Sequence, residues 1–559
     1  MGEVEVRGIK GGDAEVVFFG GTVMTMDARG YEATAVAVRD GKILFVGSDA
    51  EVLKLAGPST RVVDLNGRFM CPGFHDSHNH MLSTGLGLLH PSLAHCGTID
   101  ELLSTIGEQA RTAGDAEWVV TAADWHESAL HEARMPTIAE LDAVSHGHPL
   151  VLRRGGHNVV LNSKALEKFD LSDASEAPAD ANFVRSDGRL TGQIVGSSYV
   201  SNLLNELPKP SLDQYREGLK QVQHHYAAAG ITAVIDPGLS LGEMEVYRTL
   251  DAEGALNVRV SMMWKVPSPG FSVQQAVEQL DSGLVQVDHD GIWLRTIGVK
   301  VVVDGGVETG YYREPYLRQD DPEHPCGKPF QSAEDLQRIC CAANRAGLPV
   351  GAHCVGDAGI DLALDAFEAA DRERPIGNDR WNLIHMLYPR DDHWTRLNAL
   401  GVGVAAQQPL HYALGGGFAE YLGRDRAGDI SPLAEFLAKC GTAVGGGSDS
   451  PVAPFEPLSG ISSSVTRETR SAGILGPQWS VSVTEALAMY TSGSAWVAFD
   501  EHRTGRIAAG MLADLVVLSA DPRKVDAEEI ADIEILATMA AGSLTHGDLD
   551  YQPVPAAAL

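Results

Sequence analysis

CPGFHDSHNH, residues 71–80, is where the texture of the chain changes. Before it, short apolar runs are broken by Gly, Asn and Asp: AEVVFFGGTVMTM (14–26), ATAVAVRDGKILFVG (33–47) and RVVDLNGRFMC (61–71). Runs of this kind read as strands. After it, strand-like runs begin at Ile231 (ITAVIDPG), Asn257 (NVRVSMMWKV), Thr296 (TIGVKVVVDGG), Leu348 (LPVGAHCVGD), Arg380 (RWNLIHM), Gly401 (GVGVAAQQP) and Thr442 (TAVGGGSDS). Amphipathic stretches such as SAEDLQRICCAANRAG (332–347) and AGIDLALDAFEAADRE (358–373) separate them. Strand alternating with helix predicts a parallel sheet. With the strand ending near His78 the count is eight, so the expected fold is α/β, a closed (β/α)8 TIM-type barrel.

Working outward, residues 81–230 interrupt the alternation after the first strand. They hold their own strand-like runs, WVVTAADW (118–125) and PLVLRRGGHNVVLN (149–162), which predicts an inserted subdomain at about 85–225. The far end regains the opening texture in GRIAAGMLADLVVLS (505–519) and EILATMAAGSLTHG (534–547). The expected organisation is a small β domain built from 1–72 and 503–559, with the barrel spanning 73–502.

Composition narrows the partners. The 559 residues are 44% hydrophobic and 21% charged, as expected of a globular chain. A net charge of -32, from 75 acidic and 43 basic side chains, repels phosphate backbones and anionic lipid. Neither nucleic acid nor membrane is therefore expected as a partner; a small-molecule substrate and a homodimer are. The N-terminal stretch lacks a basic segment followed by an apolar run, so no signal peptide is expected. The seven cysteines are odd in number and form no CxxC pair, which fits a reduced cytoplasmic setting.

Residues with chemical potential fall at the ends of the predicted strands. In an extended chain, positions i and i+2 share a face, so His78 and His80 can reach one ion. Neutral imidazole suits zinc and its neighbours. Taken singly, each candidate has an ordinary explanation. A surface HxH pair is common, and His353 or His385 could be core histidines. Asp449 could be a turn or helix-capping residue. Lys300, inside GVKVVVDGG, could be paired with Asp304, since an unpaired ammonium is seldom buried. Together they place four histidines, a lysine and an aspartate on the first, fourth, fifth, sixth and eighth strands, where barrel enzymes carry their catalytic groups.

These segments resemble the amidohydrolase superfamily, in the branch known as amidohydrolase-3. The resemblance runs through nearly the whole chain: PGFHDSHNH, WHES at Trp125, GGHNVVLNSKAL from Gly155, GRLTG from Gly188, GITAVID, VKVVVDGG, AHCVGDAGIDLALDAFE, QQPLH, GGGSDSP and GRIAAGMLADLVVLSADP. It implies that the terminal segments form a β-sandwich. It also implies a site with two divalent ions, most simply zinc. His78 and His80 would bind the more buried ion with Asp449, and His353 and His385 the second. Lys300, carboxylated to a carbamate, would bridge them together with a hydroxide. Asp449 would shuttle the proton during attack on a C–N bond of an amide, N-acyl or N-formyl amine.

Three positions depart from the family pattern: Ile384 where an acidic residue is usual, His75 where an aliphatic one is, and Gly196 where Glu often stands. Candidate substrate contacts are Trp125, His126 and His157 in the insertion, and Gln408 and His411 after the seventh strand. Ester hydrolysis, decarboxylation and isomerisation use the same kind of site. A non-catalytic scaffold would be expected to have lost ligands, and all six candidates are present.

Overall fold

A computed structural model describes residues 14–549 and 551–552, apart from 94, 115–116, 126, 128–129, 155–157, 179–180, 269 and 320–322. Eight parallel strands pair in chain order: Phe74–Asp76, Ile231–Leu239, Arg259–Lys265, Leu294–Val302, Val350–Cys354, Asn382–His385, Gly403–Ala406 and Val444–Gly446. Each of these segments is buried on both faces. That is why they read as continuous Val/Ile/Ala runs rather than as alternating ones.

The barrel is nearly closed. No ladder joins the first strand to the eighth, but the Ser77 N–H donates to the Gly446 carbonyl at 2.9 Å. This seam explains Gly445 and Gly447 in AVGGGSD. A Cβ on Gly447 would lie 2.6 Å from Asp76 Oδ1 and 2.8 Å from the His78 nitrogen. Only a residue without a side chain lets the two segments approach so closely.

The lower lumen is filled by Ile235, Met263, Ile297, Ile384 and Ala405, packed with Val497 and Ala498. Burying each large apolar side chain contributes roughly 1.5–3 kcal/mol. At the N-terminal ends of the strands, buried charges are paired. Arg259 donates to both oxygens of Asp514 at 2.9 and 2.6 Å, and Arg295 lies 3.2 Å from Asp500.

Strands from the two ends of the chain interleave in two further sheets. One has five strands, in the order Tyr551–Gln552, Arg61–Asp64, Val16–Phe19, Ala35–Arg39, Lys42–Gly47. The other has six, in the order Ser543–Gly547, Ile535–Ala540, Leu515–Leu518, Phe69–Pro72, Thr22–Met24, Glu32–Ala33. Val16, Phe18, Val36, Val38 and Val63 of the first share one buried cluster with Val23, Met70, Leu515, Val517 and Met539 of the second. The alternate residues Val17, Ala35, Ala37 and Val62 pack instead against Val52 and Leu55. The period of two is therefore satisfied on both faces.

Leu82–Val222 forms a separate compact unit. Its sheet runs in the order Asn182–Ser186, Arg189–Val195, Asn158–Leu161, Leu150–Arg154, Val119–Val120. Helix Ile99–Thr112, capped by Thr98, buries Ile99, Leu102 and Ile106 against Leu150, Leu152 and Val160. Among the described residues no helix is long and apolar enough to cross a membrane.

Candidate metal centre

The HxH segment does not lie within the strand, as the i, i+2 argument expects. The first strand ends at Asp76, and His78 and His80 follow in irregular backbone. They converge nonetheless, because side chains and backbone pin that segment. The buried Asp76 carboxylate accepts the His78 and Ser448 N–H groups at 3.1 and 2.9 Å, the Ser448 hydroxyl at 2.6 Å and the Asn79 amide at 2.9 Å. Asn79 in turn accepts the Tyr226 hydroxyl. Across the seam, the Asp449 N–H donates to the His78 carbonyl at 2.8 Å, and the His80 N–H to the Ser450 carbonyl at 2.9 Å.

The outcome is one focus of donors. Asp449 Oδ1 lies 3.1 Å from His78 Nε2 and 3.3 Å from His80 Nε2. Ligand atoms of His78, His385 and Asp449 lie within 4.8 Å of one another. The His385 ring is 4.9 Å from that of His78 and 4.6 Å from that of His353.

Reaching this focus requires unusual backbone. Ile384 packs in the lumen cluster, so in a regular strand its neighbour His385 would point away. His385 instead has φ +68°, in the left-handed region, and Asp449 has φ +63°. For side chains other than glycine this costs on the order of 1–3 kcal/mol each and persists only where surrounding contacts enforce it. The His385 N–H, for example, is held at 3.0 Å by the Oε1 of Gln407.

Electrostatics favour neutral imidazoles around a charged carboxylate. Burial holds the His78 and His385 rings well below the ordinary histidine range and brings His353 down to about 4. Burial alone would raise Asp449, but the His385 ring and the hydrogen bonds from His78 and His80 hold it well below the carboxylate range. Lys300 is 3% exposed. Among the described residues it has no hydrogen bond or ion pair. Burial lowers its amine to about 7 against the opposing charge of Asp449.

Asp304 is not its partner. That carboxylate accepts the N–H groups of Tyr311, Val355 and Gly356, each at 2.9 Å, and shapes the loops beside His353. The His353 Nε2 stands 3.3 Å from the Gly305 carbonyl.

These residues fit a divalent ion. A tetrahedral zinc with bonds of about 2.0–2.1 Å sets its ligand atoms roughly 3.3 Å apart. The two imidazole-to-Asp449 separations are of that size. Moreover, burial keeps the His78 and His385 imidazoles neutral, the form whose ring-nitrogen lone pair can bind an ion.

The other candidates are placed elsewhere. Gln408 uses its amide fully, donating to Ser463 and accepting from Ser431 and Arg467. It has nothing left to offer a substrate; its neighbour Gln407 is the glutamine at the site. His411 is fully buried, with its pKa held near 3 by burial and then by Arg467. Trp125 packs in the core of the second unit, its indole donating to the Arg153 carbonyl at 2.7 Å. His126 and His157 lie outside the described residues. His75 stays away from the ligand group, among Asp500, Arg295 and Arg259, with both ring nitrogens unpartnered. Gly196 has φ +145° at the start of helix Ser197–Asn205.

Asp76, Ser448 and Gln407 escaped the sequence reading. The available signal was their position within, or next to, HDSHNH, GGGSDS and AAQQP.

Comparison with known proteins adds an independent line. The sequence model of the amidohydrolase family matches residues 61–546. An N-substituted formamide deformylase of Arthrobacter pascens is 28% identical over 547 residues, covering 95% of this chain and 98% of that protein. The putative amidohydrolase YtcJ of Bacillus subtilis is 28% identical over 551 residues, covering 95% and 99%. An uncharacterized metal-dependent hydrolase from Pyrococcus horikoshii superposes with a TM-score of 0.74 at 25% identity, covering 92% of this chain and 99% of that one. With the family's sequence pattern spanning most of its length and the fold shared with such structures, this chain belongs to the amidohydrolase family.

Proposed function

We propose that the protein is a metal-dependent hydrolase that cleaves a C–N bond of a small amide, N-acyl amine or N-formyl amine. The observation that carries this reading is the convergence of His78, His80 and His385 on Asp449, with Lys300 unpaired among the described residues in the same lumen. The similarity to a formamide deformylase along nearly the whole chain supports the C–N class.

His78, His80 and Asp449 would hold one ion, and His353 and His385 a second. Bound ions would supply Lewis acidity, polarising the scissile carbonyl and acidifying water. Asp449, ionised at neutral pH, accepts a proton from the attacking water and returns it to the departing nitrogen. Overall, one water is consumed and an acid and an amine are released. Lys300, buried and without a carboxylate partner among the described residues, would help to hold the ions if carboxylated. Its neutral amine would add to CO2 with loss of one proton, turning a buried neutral group into an anion with two oxygens.

The test is a panel of N-formyl amines, N-acyl amines, lactams and esters assayed before and after chelation and re-addition of zinc or manganese. Chelator-sensitive release of amine is the expected result. Activity indifferent to chelator, with no metal found by elemental analysis, would overturn it.

A further inference from the structure

Lys265 ends the third barrel strand, and its register partner in the fourth strand is Lys300. The irregularity between these strands falls between Met262 and Met263, where the fourth strand carries the extra residue, Ile297. The third strand therefore keeps its alternation through Met263 and Lys265. Met263 faces the lumen; its Cε lies 2.9 Å from the Cβ position of Gly351, among Ile235, Ile297 and Ile384. Two residues on, Lys265 is on the same face at the C-terminal mouth, level with Lys300.

Unlike Lys300, Lys265 remains partly exposed. Among the described residues its ammonium has no hydrogen bond or ion pair. Among the described residues Glu243 is the one acidic group that influences it, through space rather than by an ion pair, and one oxygen of that carboxylate, Oε2, accepts the Ser240 N–H and hydroxyl at 2.8 and 2.7 Å. A half-buried cation without a carboxylate partner is unusual in a chain of net charge -32, where surface lysines such as Lys164 and Lys439 find acidic neighbours.

We infer that Lys265 is a specificity-determining residue that binds a carboxylate carried by the substrate, so that the favoured substrates are N-acyl or N-formyl amines bearing an anionic group. This rests on the C–N hydrolase reading above. The ammonium is a compact, rotatable donor, suited to reading charge on a substrate whose scissile bond lies by the histidines and Asp449. A charge-assisted hydrogen bond of this kind corresponds to a preference of roughly ten- to hundred-fold.

The experiment compares N-formyl-phenylalanine with its neutral carboxamide, using metal-loaded protein, in wild type, Lys265→Met and Lys265→Arg. Wild type is expected to favour the carboxylate in kcat/KM, mainly through KM. That ratio should fall about ten- to hundred-fold in Lys265→Met and be partly kept in Lys265→Arg. An unchanged ratio, or wild-type preference for the carboxamide, overturns the inference.

A second measurement separates this from failure of the hydrolase reading. Calorimetric titration with phenylacetate, at matched metal content, should show at least ten-fold weaker binding to Lys265→Met. Equal binding overturns the role of Lys265 whatever the reaction. Weaker binding without any amide hydrolysis keeps Lys265 as the anion contact and overturns the hydrolase reading alone.

Discussion

At the N-terminal end of the barrel, Arg259 meets both oxygens of Asp514, and Arg295 meets Asp500, all four residues buried. At the C-terminal end, Lys300 and Lys265 have no partner among the described residues, and the Nδ1 atoms of His78 and His385 have none either. The two ends are made from the same strands. Lys265 and Arg259 are the last and first residues of one of them. The lower end keeps its charges matched, as a structural plug must, since an uncompensated buried charge is strongly destabilising. The upper end leaves charges and ring nitrogens unmatched and places two key residues in left-handed backbone. The lower end has its own exceptions, the His75 ring nitrogens and Arg295 Nη1, which faces Asp500 without a hydrogen bond; the ammonium groups without a partner among the described residues lie at the upper end, as a site completed by ligands would show.

The strongest way to break this contrast is at the mouth. Asp449→Asn should keep the fold, by circular dichroism and melting, while kcat falls by about 10²–10⁴-fold, the range for loss of a general acid–base group. Near-normal turnover would mean that another group moves the proton.

Lys300→Ala should take bound metal from two equivalents towards one and remove most activity, with partial recovery in added propionate. A fully metal-loaded, active protein whose Lys300 amine is unmodified by mass spectrometry would instead point to a mononuclear site.

At the lower end the readout should be stability rather than chemistry. Asp514→Ala leaves the Arg259 guanidinium buried and unpaired, and should cost about 3–5 kcal/mol in denaturant unfolding. Metal content of the folded fraction should stay at the wild-type level. Loss of metal instead would mean that the two ends are not separable.

The smallest effect concerns His75, whose imidazole burial depresses from 6.5 to about 3. As pH falls below 6.5 the unfolded chain takes up a proton that the folded one refuses until about 3. Stability from this group is therefore complete above 6.5 and declines between 6.5 and 3. His75→Leu should remove that decline and shift the acid unfolding midpoint downwards. An unchanged midpoint would show that His75 keeps a proton partner, such as a buried water, in the native state.

Much of the architecture could be read from the chain because burial on both faces of a parallel strand leaves a continuous apolar run. Each of the eight barrel strands falls within, or next to, such a run. The candidate ligands were visible for a related reason: histidine, lysine and aspartate are conspicuous at the ends of such runs. What could not be read was how these residues meet. The i, i+2 argument for His78 and His80 names two rings that do converge on Asp449, but for a reason the structure does not use, since both lie past the strand. Gln408 looked like the site glutamine, yet its amide is consumed by Ser463, Ser431 and Arg467, while Gln407 holds the His385 N–H.

The sequence by itself determined the strand and helix segments, the family and the inventory of ligand-type side chains, because hydrophobic periodicity and residue chemistry are local properties. Only the tertiary structure decided that His385 and Asp449 turn into the lumen through left-handed backbone, and that Asp304 belongs to loop amides rather than to Lys300. It alone decided, too, that Lys265 stands level with Lys300 without a partner among the described residues. Those outcomes depend on which groups distant in the chain compete for the same buried hydrogen bonds, and that competition exists only once the barrel has brought them together.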